Sequence, residues 1–269
     1  MRNHFIAPAQ SDQADGLRRL FSASRVRFVP VVSNPHVAFG GVLLEHLCAA
    51  FAELGLHTLV VDAGENSPAP DELAAVELGA CVELLSDKVS YLAARGLPMR
   101  FINAHGSAAE MLNAVIDAAP QADVVLLHAS APELCRVVAR REVRPVLLAD
   151  DRPLSVTHAY AGMKLLVQRA GLMVHSLLLG ADANSPRVER IAQQMTGCAD
   201  GFLGAVLRDW ASIDPLASSA ELPSAALRHL ARELLMAAPP GAVMERPANA
   251  MPLRGFAHPP WQDAALAAL

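Results

Sequence analysis

The sequence predicts a doubly wound α/β fold with a mainly parallel sheet of about seven or eight strands. Short β-type runs alternate with longer amphipathic runs, the pattern of repeated βαβ units. Several of the short runs are apolar throughout, as strands covered on both faces must be. Composition agrees. Of 269 residues, 53% are hydrophobic and 18% charged, which excludes a wholly disordered chain and is enough to build one large core.

The elements follow in order. Residues 12–23 read as a short N-terminal helix. Residues 26–32 read as the first strand. A helix over 41–54 places Leu43, Leu44, Leu47, Phe51 and Leu54 on one face, and Gly55 ends it. Residues 57–62 are a second strand, and 70–85 a helix. Strands at 89–94 and 99–102 flank the turn Gly96-Leu97-Pro98. A helix over 107–119 opens on Ser107 with Glu110 three residues on, the spacing of a capping box. Then come a strand at 122–128, a helix at 132–141, a strand at 144–149 and a helix at 154–170 that starts near Asp151 or Ser155. A strand at 172–179, a helix at 185–196, a strand at 202–208 and a helix at 224–236 complete the pattern. The chain thus divides into an N-terminal segment (1–24), an α/β domain (25–236) and a tail (237–269). Pro239, Pro240, Pro247, Pro252, Pro259 and Pro260 make the tail a loose one.

Several functions are excluded or disfavoured. The net charge of −5 with no basic block disfavours nucleic acid. Apolar runs are broken well short of the ~18–20 residues that span a bilayer. Cys48, Cys81, Cys135 and Cys198 form no CxxC pair, so the expectation is reduced core thiols with neither zinc nor disulfides. Residues 1–11 hold no apolar signal region, and the expected location is cytoplasmic. The ten histidines show no HxxxH or HExxH spacing. His36, His105 and His128 fall toward one edge of the sheet, where structural roles are the expectation and no metal site is predicted. No GxSxG nucleophile motif occurs.

The loop after the first strand is the usual phosphate site of an α/β domain. Here it runs Ser33, Asn34, Pro35, His36, Val37, Ala38, Phe39, Gly40, Gly41. A phosphate cradle needs consecutive backbone N–H groups, a lysine and a hydroxyl for magnesium. Pro35 removes an N–H, Val37 and Phe39 add bulk, and no lysine is present in the loop. Lys88 and Lys164 are the lysines among 22 basic residues, and both lie elsewhere in the pattern. Asp62, and Asp150 or Asp151, end strands at the same edge and read as solvated acids or as remnants of a magnesium site.

The run VVSNPHVAFGGVLLEHLCAAFAELGLHTLVVDAG over 31–64 resembles the first βαβ unit of the MinD/ParA-type deviant Walker ATPases. Their loop GKGGVGKT falls on Asn34–Gly41. The resemblance puts the family's deviant lysine on Pro35, its main phosphate lysine on Gly40 and its magnesium-binding threonine on Gly41. The acid ending the second strand is kept as Asp62, and the acid that orients magnesium through water is replaced by His128. DDRPLSVTHAYAGMKLL (150–166) and FLGAVLRDWASIDP (202–215) are similar to later segments of the family. The resemblance covers about 25–236 and implies the P-loop NTPase fold of MinD more than its ATPase activity.

The N-terminal segment resembles the DQAxxLR motif that precedes this domain in FlhG, a regulator of flagellar number and placement. Asp12, Gln13, Ala14, Leu17 and Arg18 carry the match. It implies a helix that stimulates GTP hydrolysis by an SRP-type partner, FlhF, with Gln13 orienting the attacking water and Leu17 and Leu20 setting its depth. The reading is therefore a pseudo-ATPase scaffold without a cofactor, recruited to the cell pole by a partner, whose self-association does not depend on ATP. Two alternatives stay open. One is an active MinD/ParA-type switch using ATP and magnesium in partitioning or polar placement. The other is an interaction scaffold with a silent N-terminal helix packed through Leu17, Leu20 and Phe21. The tail ends PPWQDAALAAL with no basic residue after Arg254, so membrane contact through it is disfavoured.

Overall fold

A computed structural model describes residues 26–236, apart from 76, 139, 140, 183, 184, 219 and 220. The expected N-terminal helix and C-terminal tail lie outside the described residues.

The strands are β1 (Arg27–Val32), β2 (Thr58–Asp62), β3 (Glu83–Ser86), β4 (Val89–Ala93), β5 (Val124–Ala129), β6 (Val146–Asp150), β7 (Val174–Gly180) and β8 (Val206–Ile213). They form one eight-stranded sheet in the order β3-β4-β2-β5-β1-β6-β7-β8. β3 runs antiparallel to β4, and every other pair is parallel. The helices are α1 (Gly40–Glu53), α2 (Leu97–Arg100), α3 (Glu110–Ala118), α4 (Ala131–Val137), α5 (Pro153–Leu165), α6 (Pro186–Cys198) and α7 (Ala225–Met236). The doubly wound α/β class expected from the sequence is the observed one.

Side chains alternate across each strand, and in the central strands β1, β2, β5 and β6 both faces are apolar because both are covered. Val29, Val31, Val60, Leu126, Leu148 and Leu178 meet Leu43, Leu47 and Phe51 of α1 and Leu230 of α7. Val32, Val61, Val125, Leu127, Leu147 and Leu177 face α3 to α6 through Met111, Leu134, Met163 and Val188. The connection from β1 passes to β2, while that from β5 passes through α4 to β6 on the other side of β1. The strand order therefore reverses around β1, which opens a crevice at the carboxyl ends of β1, β2 and β5.

Four expectations need correction. Residues 70–85 are not one helix but two 3-10 turns, Glu72–Ala75 and Leu78–Cys81, followed by β3. Gly79 weakens a helix there, and Asp87-Lys88 closes a hairpin between β3 and β4. Residues 99–102 are not a strand. Pro98 sits in the first turn of α2, where its fixed φ suits a helix. Ser107 does not cap α3, which begins on Glu110. Its hydroxyl accepts only from Ala109 N at 3.3 Å. The capping box lies instead at α4, where Glu133 Oε2 accepts from Ser130 N at 3.2 Å and from Ser130 Oγ at 2.7 Å. Finally, residues 202–203 belong to a π turn, Ala199–Leu203, that extends α6, so β8 starts only at Val206.

Candidate functional site

A cleft of about 250 Å³ opens at the switch point. Ser33, Asn34, Pro35, Val37, Ala38, Gly40 and Gly41 of the β1–α1 loop line it, facing Asp62, the segment Gly64–Pro68 and His128. It is smaller than the ~300–1,000 Å³ usual for ligand pockets. The sequence-derived loop and strand-end residues thus converge, with two exceptions. Phe39 stands outside the cleft, half exposed at the start of α1, and does not obstruct it. His36 turns away to meet His158 edge-on, with ring centroids 5.5 Å apart.

Asn34 governs the loop. Its amide nitrogen donates to Leu148 O at 2.8 Å and Ser155 O at 2.9 Å, tying the end of β1 to β6 and α5. Its side-chain oxygen accepts from His36 N at 3.1 Å, and its carbonyl accepts from Val37 N at 3.0 Å. Asn34 to Val37 is therefore a β-turn with proline at its second position. Pro35 has no N–H, and those of His36 and Val37 are already taken. The consecutive N–H groups that a phosphate cradle requires are missing from this part of the loop.

Asp62, the last residue of β2, and His128, the next to last of β5, lie side by side, and His128 Nδ1 lies 2.7 Å from Asp62 Oδ1. The same oxygen accepts from Gly64 N at 3.1 Å, while Oδ2 accepts from Tyr91 Oη at 3.3 Å. Burial raises the Asp62 carboxyl. Hydrogen bonds from His128 and Ser67, the attraction of His128 and the Gly64 N–H outweigh it and hold the group at about 2. Burial, then the Asp62 charge and hydrogen bond, pushes the Tyr91 phenol up to about 12, which keeps it a donor. A Cβ built on Gly64 would meet His128 Cε1 at 2.9 Å and Asp62 Oδ1 at 3.2 Å, so only glycine lets the ring lie there.

The strand-end acids are thus not solvated, contrary to the expectation for Asp62 and Asp150. Asp150 is buried and accepts from Arg152 N at 3.0 Å, Nε at 2.8 Å and Nη2 at 2.6 Å. Arg152 Nη2 also donates to His36 O, so the cation nearest the loop is held by an internal partner. Asp151 pairs with Arg187 at 3.5 Å. Lys88 Nζ donates to Gly55 O at 3.0 Å, at the opposite end of the sheet, and Lys164 is exposed on α5. His105 lies in a separate exposed turn, where its N–H donates to Asn103 Oδ1 at 3.0 Å. Among the described residues no group of three metal-ligating side chains occurs. The cysteines are free: Cys48 is buried, which pushes its thiol up to about 12, while Cys81, Cys135 and Cys198 are half-buried, the first two packed against the core. No helix among the described residues is long and apolar enough to cross a membrane. Asp12, Gln13, Ala14, Leu17 and Arg18 lie outside the described residues.

No protein-family model and no curated protein matches the chain. Solved structures do. MinD cell division protein from Aquifex aeolicus is 13% identical, with a TM-score of 0.51 over 80% of this chain and 98% of its own. Cobyrinic acid a,c-diamide synthase from Mycobacterium smegmatis, solved with ADP and magnesium, is 16% identical, with a TM-score of 0.54 over 78% and 94%. Septum site-determining protein MinD from Pyrococcus horikoshii, solved with Mg-ADP, is 14% identical, with a TM-score of 0.50 over 77% and 95%. The chain has the MinD/ParA-type P-loop NTPase fold. At these identities the likeness is one of fold.

The fold implies ATP and magnesium, and the residues present do not fit them. A β,γ-phosphate needs a cation that neither lysine supplies. A magnesium site needs free carboxylate oxygens, yet both Asp62 oxygens accept internal hydrogen bonds and an imidazole stands opposite.

Proposed function

We propose that the chain is an FlhG-like regulator: a MinD/ParA-type scaffold that does not hydrolyse ATP and whose N-terminal DQA segment stimulates an SRP-type GTPase of the FlhF kind. The observation that supports the first half is the β1–α1 loop, where Asn34 takes the N–H groups of His36 and Val37 and no lysine lines the cleft. The second half rests on Asp12, Gln13, Ala14, Leu17 and Arg18. A glutamine placed in trans orients a hydrolytic water by donating and accepting hydrogen bonds at once. Leu17 and Arg18 anchor the helix on the partner. In this reading the protein works in the cytoplasm, reaches the cell pole through its partner and self-associates independently of ATP.

Calorimetry with ATP and magnesium tests the first half, with no binding as the expected outcome. Micromolar affinity with magnesium-dependent turnover would restore the active-switch reading. Single-turnover GTP hydrolysis by the partner, at saturating regulator, tests the second. Gln13→Ala should keep binding and lose stimulation, whereas Leu17→Ala should weaken binding. Full stimulation by Gln13→Ala would leave the helix only a docking role.

A further inference from the structure

Asp62 and His128 are register partners on adjacent parallel strands, so their side chains leave the same face of the sheet into the same cleft. Two carboxylates on such a pair repel at short range and need a cation between them. An imidazole opposite a carboxylate needs none. We infer that the His128 ring, bonded to Asp62 and seated over Gly64, takes the place a divalent cation would fill between β2 and β5, and latches the cleft wall permanently. The inference rests on the reading of a scaffold without ATP hydrolysis and adds how that scaffold keeps its shape.

The wall is the segment Gly64–Pro68. Gly64 N donates to Asp62 Oδ1 at 3.1 Å, and Ser67 N donates to Gly64 O at 3.1 Å, so the segment hangs from the carboxylate that His128 fixes. Tyr91, from β4, holds the second oxygen. The side chains of His128 and Asp62 are only 14% and 18% exposed, which shields their contact from water. The close approach of ring and backbone at Gly64 leaves no slack. The wall is fixed through one carboxylate and one ring, without an ion.

Amide hydrogen exchange over residues 63–68 and thermal unfolding of the full chain test this. Wild-type protection and Tm should be the same with and without millimolar magnesium. His128→Asp restores two facing carboxylates. It should loosen 63–68, lower Tm by about 5 °C, and recover in part when magnesium is added. Gly64→Ala pushes the ring away and should loosen the same segment. In a His128→Ala background the added Gly64→Ala should loosen the segment less, because the ring it strikes most closely is gone and only the 3.2 Å approach to Asp62 Oδ1 remains. Wild-type protection that rises with magnesium would overturn the inference. So would an unloosened His128→Asp, or a Gly64→Ala effect that is undiminished without His128. If His128→Asp does not fold, the magnesium test on wild type and the Gly64 cycle decide alone. ATP binding by the wild type would end the scaffold reading yet leave these exchange results standing, so the two failures are distinguishable.

Discussion

Two titratable side chains, one fully buried and one half-buried, act in separate pH windows. His175 on β7 is fully buried; its Nε2 donates to Leu172 O at 2.9 Å, while Nδ1 has no partner. Burial lowers its pKa to about 4, against the opposing pull of the Leu172 carbonyl. Below the ordinary value of 6.5 the unfolded chain takes up a proton that the folded chain refuses, so stability falls between pH 6.5 and 4. The loss is roughly 3 kcal/mol and should vanish in His175→Gln, read as urea midpoints across that range. Asp62 acts lower. Its depressed pKa contributes stability that is complete above 3.8 and lost as pH falls through about 2. Asp62→Asn should therefore be less stable than wild type near neutrality by on the order of 2 kcal/mol, with the gap closing in acid. Asp62 and His128 were legible in the sequence because they end apolar strands. Tyr91 and Gly64 were not, because their nearness depends on β4 lying beside β2, and a two-residue period carries no strand order.

At the scale of elements, legibility followed periodicity. β1, β2, β5, β6 and α1 have long unbroken patterns and were placed within a residue or two. Within 70–102 the expected strand at 89–94 matches β4, but 70–85 and 99–102 differ, because their apolar residues sit in short turns and an edge strand, where turn chemistry outweighs helical spacing. Capping shows the same limit. Ser107-x-x-Glu110 and Ser130-x-x-Glu133 read alike, yet only the second forms its box, because Ser107 instead donates from its backbone N–H to Asn103 Oδ1 at 3.1 Å and stays in a turn. Ser130→Ala should cost about 1 kcal/mol, or a few degrees in Tm. Ser107→Ala should cost a few tenths, and calorimetric scans of the two variants would separate them. Equal losses would mean that Ser107 supports α3 in some other way.

For the whole molecule, the described residues close both faces of the central strands, while β3 at the edge stays exposed. α7 lies over β8 beside α1 through Leu227, Leu230 and Leu234. A polar clamp adds to this packing, with the buried Arg144 2.9 Å from Asp209 and 3.8 Å from Glu233. With the central strands covered on both faces, the α/β domain is expected to fold without a flanking segment. The proposed GTPase activation depends, by contrast, on side chains that the α/β domain does not supply, namely Gln13 and its neighbours. Stability and activity should therefore separate on deletion. A chain lacking residues 1–24 should unfold within about 2 °C of the full chain, since the core among the described residues is built without them and a change that leaves the core intact typically shifts stability by no more than about 0.5 kcal/mol. It should also lose all stimulation of the partner GTPase. A peptide of residues 1–25, added in excess, should keep part of that stimulation, weakened by the ordering entropy a free segment must lose on binding. Thermal scans and single-turnover hydrolysis on the same preparations measure both. Deletion that collapses the fold would show the segment to be a docked structural helix. Deletion that leaves stimulation intact would move the activating group onto the α/β domain itself.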